Sequence, residues 1–234
     1  IRDSVASRGL GDVYKRQPIK SVIKLISPWA AALSAFGLAN NSLWARMKIS
    51  NNAYQYNLNY APHLGMFRNH AGNNPIDQLN FMADQGFKAF EDNDMRKREI
   101  GLQEKMAATM EKRGLQMGVF VAHEIYWQKP NLASGDSKLR LEFLDYIKKA
   151  ITVAKRVNAK WMTVVPGHVD MRQNMAYQTA HVVESLKQAS ALLEPHGIVM
   201  VLEPLNFRDH PGLFLTESPQ AYKVCKAVDS PSCK

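Results

Sequence analysis

The sequence predicts an α/β protein, a (β/α)8 TIM barrel present in part, with about five of its eight βα units carried by residues 54–234. Three observations predict it. Short apolar segments alternate strictly with longer helical ones from Tyr54 onward. The segment after the first strand, Pro62-His63-Leu64-Gly65-Met66-Phe67, lacks the glycine-rich turn of a dinucleotide-binding sheet. Each expected strand ends in an ionisable residue, which places five such residues on one rim.

The elements follow in order. Residues 55–61 read as a strand and 75–85 as a helix, with Pro75 suited to its first turn and Gly86 to its close. Residues 87–90 are a strand ending in Glu91-Asp92-Asn93, and 99–113 a helix closed by Gly114. Residues 116–122 are a strand ending in His123-Glu124. After a longer loop, Ser137–Val157 is a helix with an apolar face at Leu141, Leu144, Ile147, Ile151 and Ala154. Residues 161–165 are a strand ending in Pro166-Gly167-His168, and Met175–Leu193 a helix closed by Pro195-His196-Gly197. Residues 198–202 are a strand ending in Glu203-Pro204-Leu205-Asn206, and 216–228 a helix. Strands two to five are short and apolar, as suits a parallel sheet buried on both faces. The 181 residues from 54 to 234 give about 36 per unit, so eight units would need roughly 290, within the range of such barrels.

The first 53 residues have a different character. Asp12-Val13-Tyr14-Lys15-Arg16-Gln17 is what a transposon-type sequencing adaptor gives when read in one frame, so residues 1–17 read as an adaptor artefact, the alternative being a genuine basic tail. In residues 18–53, Lys20 and Lys24 precede an apolar run from Leu25 to Ala39, short for a membrane span and matched to the core of an export signal. Ser42-Leu43-Trp44-Ala45 could hold a cleavage site, and 46–53 reads as a linker. The expectation is a periplasmic or exported protein without a stable membrane span, with a cytoplasmic one as the alternative.

Charge narrows the function classes. Of the net +9, a surplus of +6 lies in residues 1–53 and only +3 in 54–234. The body shows no basic stripe interleaved with aromatics, so nucleic acid is not an expected partner. Cys225 and Cys233 form no zinc or Cys-x-x-Cys pattern and read as two free thiols. Oligomerisation is compatible with all of this.

The candidate site residues stand at the strand ends. His63, Glu91, His123 and His168 are candidates for binding substrate oxygens, each with a structural hydrogen-bonding role as its alternative. Glu203 follows the apolar run Ile198-Val199-Met200-Val201-Leu202 and precedes Pro204, so its carboxylate is expected to have few solvent neighbours. It then needs a cation or strong donors. A divalent metal is one solution, with oxygen ligands favouring Mg2+ or Mn2+ and Zn2+ also possible. Pairing with Arg208 or Lys160 is the other.

The run Leu202-Glu203-Pro204-Leu205-Asn206-Phe207-Arg208-Asp209-His210-Pro211-Gly212-Leu213-Phe214-Leu215-Thr216 resembles the fifth-strand motif of the hydroxypyruvate isomerase family, within the xylose isomerase-like barrels. Asn57-Leu58 and Met66-Phe67 are also similar. The resemblance implies that Glu203 ligates a divalent metal and moves a proton. It implies three further ligands on strands six to eight: an Asp in an Asp-x-x-His motif, a His or Gln, and a final Glu. None of these lies in this chain, which is therefore expected to be poorly soluble and inactive alone. The implied activity is isomerisation or epimerisation of a small sugar or hydroxy-keto acid through an enediolate. Asn206 and Arg208 join the candidates for substrate binding, Arg208 for a carboxylate or oxyanion. The loops after strands two to four, including His123-Glu124-Ile125-Tyr126-Trp127, depart from hydroxypyruvate isomerase proper and leave the substrate open. A dehydratase or lyase on the same scaffold and an exported, non-catalytic carbohydrate-binding barrel are the alternatives. A DNA-repair nuclease of the same barrel would need a basic groove that the near-neutral body does not offer.

Overall fold

The computed structural model describes residues 54–234. The adaptor reading of 1–17 and the leader reading of 18–53 lie outside the described residues. Within them the elements run α1 (Arg68–Ala71), α2 (Pro75–Asp84), β1 (Ala89–Phe90), α3 (Ile100–Arg113), β2 (Gln116–Met117), α4 (Ser137–Val157), β3 (Trp161–Val164), α5 (Met175–Leu193), β4 (Val199–Leu202) and α6 (Ser218–Val228).

Strand pairing is parallel and follows chain order. β1 pairs with β2 in the register Ala89 to Gln116, and β3 with β4 in the register Trp161 to Val199. A bridge from Val121 to Thr163 joins the two pairs. Further bridges, His63 to Glu91 and Met200 to Cys233, continue the parallel order outward at both ends. Parallel neighbours linked by helices are the TIM-barrel pattern. Among the described residues the run does not close on itself.

The expected first strand at 55–61 is absent; only a bridge at His63 remains of it. Its tyrosines find aromatic partners instead. The Tyr56 ring stacks on Phe87 at 4.8 Å and meets Tyr60 edge-on at 5.6 Å. Residues 118–120 likewise leave the expected third strand without forming ladder pairs. The helices agree closely with the expected spans, because their ends carry capping chemistry. Asn74, Asp136 and Asn174 each accept from the backbone N–H two residues on, which satisfies an otherwise orphaned donor at the starts of α2, α4 and α5. Gly114 closes α3 in the left-handed conformation that its lack of a Cβ permits.

The helices cover the sheet with one stripe each. On α4 the buried stripe holds Phe143, Leu144, Ile147, Ala150, Ile151 and Ala154. Leu141 was expected there and is instead exposed. At 100° per residue it lies about 120° round from Ile147, on the edge of the stripe. The core is rich in methionine: Met82, Met95, Met106, Met162 and Met200 are fully enclosed. Unbranched thioethers fill the irregular space between short strands and helices. Among the described residues no helix is long and apolar enough to cross a membrane.

Candidate active site at the strand ends

The parallel register carries the C-terminal ends of the strands to one rim. His63 pairs there with Glu91, and its Nδ1 lies 2.6 Å from the Leu64 carbonyl. That contact fixes Nδ1 as the donor and directs acceptor capacity to Nε2. Glu91 is half-buried, and burial pushes its carboxyl above the usual range. The nearby His63 pulls it back, and the negative charge of Glu203 pushes it up further. These three side chains thus share one electrostatic neighbourhood.

Asp92 turns the other way, into the protein, where it is 1% exposed. Both its oxygens accept from the Arg98 guanidinium. Gln103 donates to the carbonyls of Met95 and Arg98 and so braces the loop that follows β1. This bidentate pair holds Glu91 and the residues after it in place.

His123 is buried, with both ring nitrogens engaged by backbone. Its Nδ1 faces the Glu124 carbonyl at 2.8 Å, and Nε2 accepts from the Val165 N–H at 3.3 Å. Its ring meets Phe143 edge-on at 5.1 Å. Desolvation lowers its pKa to about 4, with the positive charge of Arg96 a smaller contribution in the same direction. The neutral imidazole ties the end of β2 to that of β3.

His168 repeats the local arrangement of His63, with Nδ1 2.8 Å from the carbonyl of the next residue, Val169. The loop after β4 then returns across it: Val169 donates to the Gly212 carbonyl and Phe214 to the Gly167 carbonyl. A Cβ on Gly212 would stand 2.0 Å from His168 Nε2. The glycine is therefore required by close approach as well as by its φ of +82°.

Glu203 is exposed rather than shielded. It lines an open cavity of about 330 Å³ between the loops after β1, β2 and β4, so solvent reaches the carboxylate from the cavity side. Asn206 serves its own loop: Oδ1 accepts from the Arg208 and Asp209 N–H groups, and Nδ2 donates to the Asp209 carboxylate. Arg208 is exposed, and neither it nor Asn206, His63, Glu91 or His168 lines the cavity.

The cavity is completed by residues that sequence reasoning did not assign. Lys97 comes from the turn after β1, and Trp127 and His210 from the loops after β2 and β4. The Trp127 and His210 rings stack at 5.2 Å with 27° between planes. A histidine placed four residues after the motif asparagine and a tryptophan four after His123 were visible, but no periodicity links two loops so far apart. Two larger cavities, about 530 and 650 Å³, lie elsewhere. One opens at the N-terminal ends of β2 and β3 and the other beside α6, away from the converged ionisable groups.

For a metal, the fit is partial. Glu203 offers an exposed carboxylate, and a cation would relieve the repulsion it exerts on Glu91. Among the described residues no group of three or more His, Cys, Asp or Glu is placed to hold a metal ion.

The family described as Xylose isomerase-like TIM barrel matches residues 79–234. The 2-oxo-tetronate isomerase of Cupriavidus necator is 26% identical over 136 residues, covering 56% of this chain and 50% of that protein. The hydroxypyruvate isomerase of Escherichia coli is 30% identical over 92 residues, covering 39% and 34%. The chain thus spans half the length of one of these curated relatives and about a third of the other. Among solved structures, an AP endonuclease, family 2, from Brucella melitensis superposes with a TM-score of 0.63 at 22% identity, covering 74% of this chain and 65% of that one. A D-psicose 3-epimerase with D-tagatose from Clostridium cellulolyticum H10 gives 0.61 at 14% identity, covering 76% and 62%. At such identities the structural matches establish the fold.

Proposed function

The chain belongs to the xylose isomerase-like TIM barrel family, and from that premise we propose that the full-length protein is a metal-dependent isomerase or epimerase of a small sugar or hydroxy-keto acid. One observation carries the reading. Glu203, in a Glu-Pro-Leu-Asn run at the end of β4, lines an open cavity and lies within electrostatic reach of Glu91, which is bridged to His63. The two curated relatives are named as isomerases of small oxo acids, which is consistent with it.

Glu203 takes a proton from the carbon next to the substrate carbonyl and, in an isomerisation, returns it to the former carbonyl carbon; in an epimerisation a second acid on a later strand, as the resemblance implies, returns it on the opposite face. His63 Nε2, outside the cavity lining, would hydrogen-bond a substrate hydroxyl that extends toward Glu91. Glu91 holds a proton more tightly than a free carboxylate and can donate it to a substrate oxygen. Glu203 would also supply one oxygen ligand to a divalent ion, Mg2+ or Mn2+ by donor type, whose charge would offset the negative charge developing on the substrate oxygens. The remaining ligands implied by the resemblance belong to strands after the fifth.

Incubation with hydroxypyruvate, a 2-oxo-tetronate or a ketohexose, followed by product NMR, tests the assignment. Isomer formation that falls at least a hundredfold in Glu203→Gln is the expected result. Loss of water would mean a dehydratase, and full turnover by Glu203→Gln would overturn the catalytic role.

A further inference from the structure

The sequence motif offers Arg208 as the holder of a substrate carboxylate, yet that side chain does not line the cavity. A different cation does. We propose that Lys97 is the anchor for a carboxylate on the substrate, so that this site selects small hydroxy or keto acids over neutral ketoses. The inference rests on the isomerase reading of the same site and adds the residue that decides its substrate class.

Lys97 and Glu203 line one cavity from the loops after β1 and β4. The Lys97 side chain is more than half exposed, and its ion-pair partner Glu124 Oε2 stands 3.6 Å from Nζ, beyond a good hydrogen bond. That same oxygen already faces Arg96 at 3.4 Å. Arg96 is the better-held partner: its side chain is 13% exposed and its guanidinium lies 4.9 Å from the centre of the Tyr146 ring. Arg96 therefore answers the Glu124 charge and leaves the protons of Lys97 available to a ligand. A flexible ammonium carries three such donors and accepts a carboxylate without a fixed approach angle.

The cavity needs a cation for an acidic ligand to enter. Asp94, Glu124 and Glu203 are all part of its lining, and an anion arriving without a counter-charge would meet repulsion from each. Lys97 is the lining residue that supplies a full positive charge. The stacked rings of Trp127 and His210 close another side with a flat wall, against which the carbon chain of a sugar acid can lie. A carboxylate on Lys97 then orients the chain, and the reacting carbons fall toward Glu203.

Calorimetric titration of the full-length protein in Mg2+ buffer with threonate and with erythrulose tests the proposal. These are a four-carbon acid and a neutral four-carbon ketose. Threonate is expected to bind more tightly than erythrulose. Lys97→Met should weaken threonate about tenfold to a hundredfold and leave erythrulose within about twofold. Lys97→Arg should restore most of the threonate affinity. Equal affinity of the unmodified protein for both probes, or equal weakening of both by Lys97→Met, overturns the anchor while leaving the isomerase reading intact. Binding of neither probe overturns the anchor, whereas the isomerase reading stands or falls on the turnover of hydroxypyruvate, a 2-oxo-tetronate or a ketohexose. Because Lys97 lies on the surface, circular dichroism of the variants should match the parent.

Discussion

His123 makes the stability of this fold pH-dependent in a way that can be worked out from its surroundings. The unfolded chain takes up a proton on this imidazole near 6.5, whereas the folded protein resists until about pH 4 because the ring is wholly desolvated. Between those values the unfolded state binds more protons, so stability is complete above 6.5 and falls as pH drops toward 4. From pH 7.5 to 4.5 the single group accounts for about 2 to 3 kcal/mol. For a folded unit of this size that is a fall in Tm of about 7 °C. Carboxylates titrate in the same range, so a control is needed. His123→Asn keeps a donor for the Glu124 carbonyl but cannot ionise, and leaves the Val165 N–H unpaired. It should be less stable than the parent at pH 7.5 by about 2 kcal/mol. Thermal melts of both proteins across this range give the answer. The parent should lose about 2 to 3 kcal/mol more than the variant between pH 7.5 and 4.5. Parallel loss in the two proteins would refute the burial argument.

Other perturbations probe the supports of the site. Asp92→Asn leaves Arg98 without its carboxylate and should cost about 3 kcal/mol in urea denaturation, since one member of a largely buried pair is removed; a change below about 0.5 kcal/mol would contradict the bracing role. Gly212→Ala combines a φ of +82° with a Cβ driven into His168, and a loss of at least about 2 kcal/mol by thermal melt is expected. Cys225 is half-buried and in no disulfide, whereas burial, with the neighbouring Cys225 thiol adding to it, pushes the Cys233 thiol up to about 12. Iodoacetamide at pH 8 should therefore label Cys225 first, as read by peptide mass spectrometry, and leave Cys233 until the protein is unfolded.

The helices were legible in the sequence because their signals are local. Ser137–Val157 and Met175–Leu193 have the same bounds in the structure as in the sequence pattern, each with an Asx residue ahead of it and a left-handed or turn-forming closure behind. The strands were legible in order but not in extent. Residues 55–61 have the composition of a strand, and tertiary packing of Tyr56 on Phe87 overrides it. Position was legible where strand ends deliver a residue directly, as with His63, Glu91 and Glu203, which lie on one rim. Role was not legible where the environment decides it. His123 and Asn206 carry the right groups, yet the backbone engages both nitrogens of the first and the loop engages the amide of the second. Glu203 was expected to be shielded because its strand is apolar, but the cavity beyond the strand end opens it to solvent. Lys97, Trp127 and His210 belong to three separate loops, and only the fold brings them to one cavity.

The central claim is that Glu203 moves a proton at carbon. Solvent-exchange NMR in D2O with Mg2+ or Mn2+ tests it most directly, with hydroxypyruvate, a 2-oxo-tetronate and a ketohexose as probes. The full-length protein should place deuterium at the carbon beside the carbonyl of at least one of them, and Glu203→Gln should slow that exchange at least a hundredfold. Exchange at the same rate in both proteins, or no exchange above the uncatalysed background in either, would contradict the account.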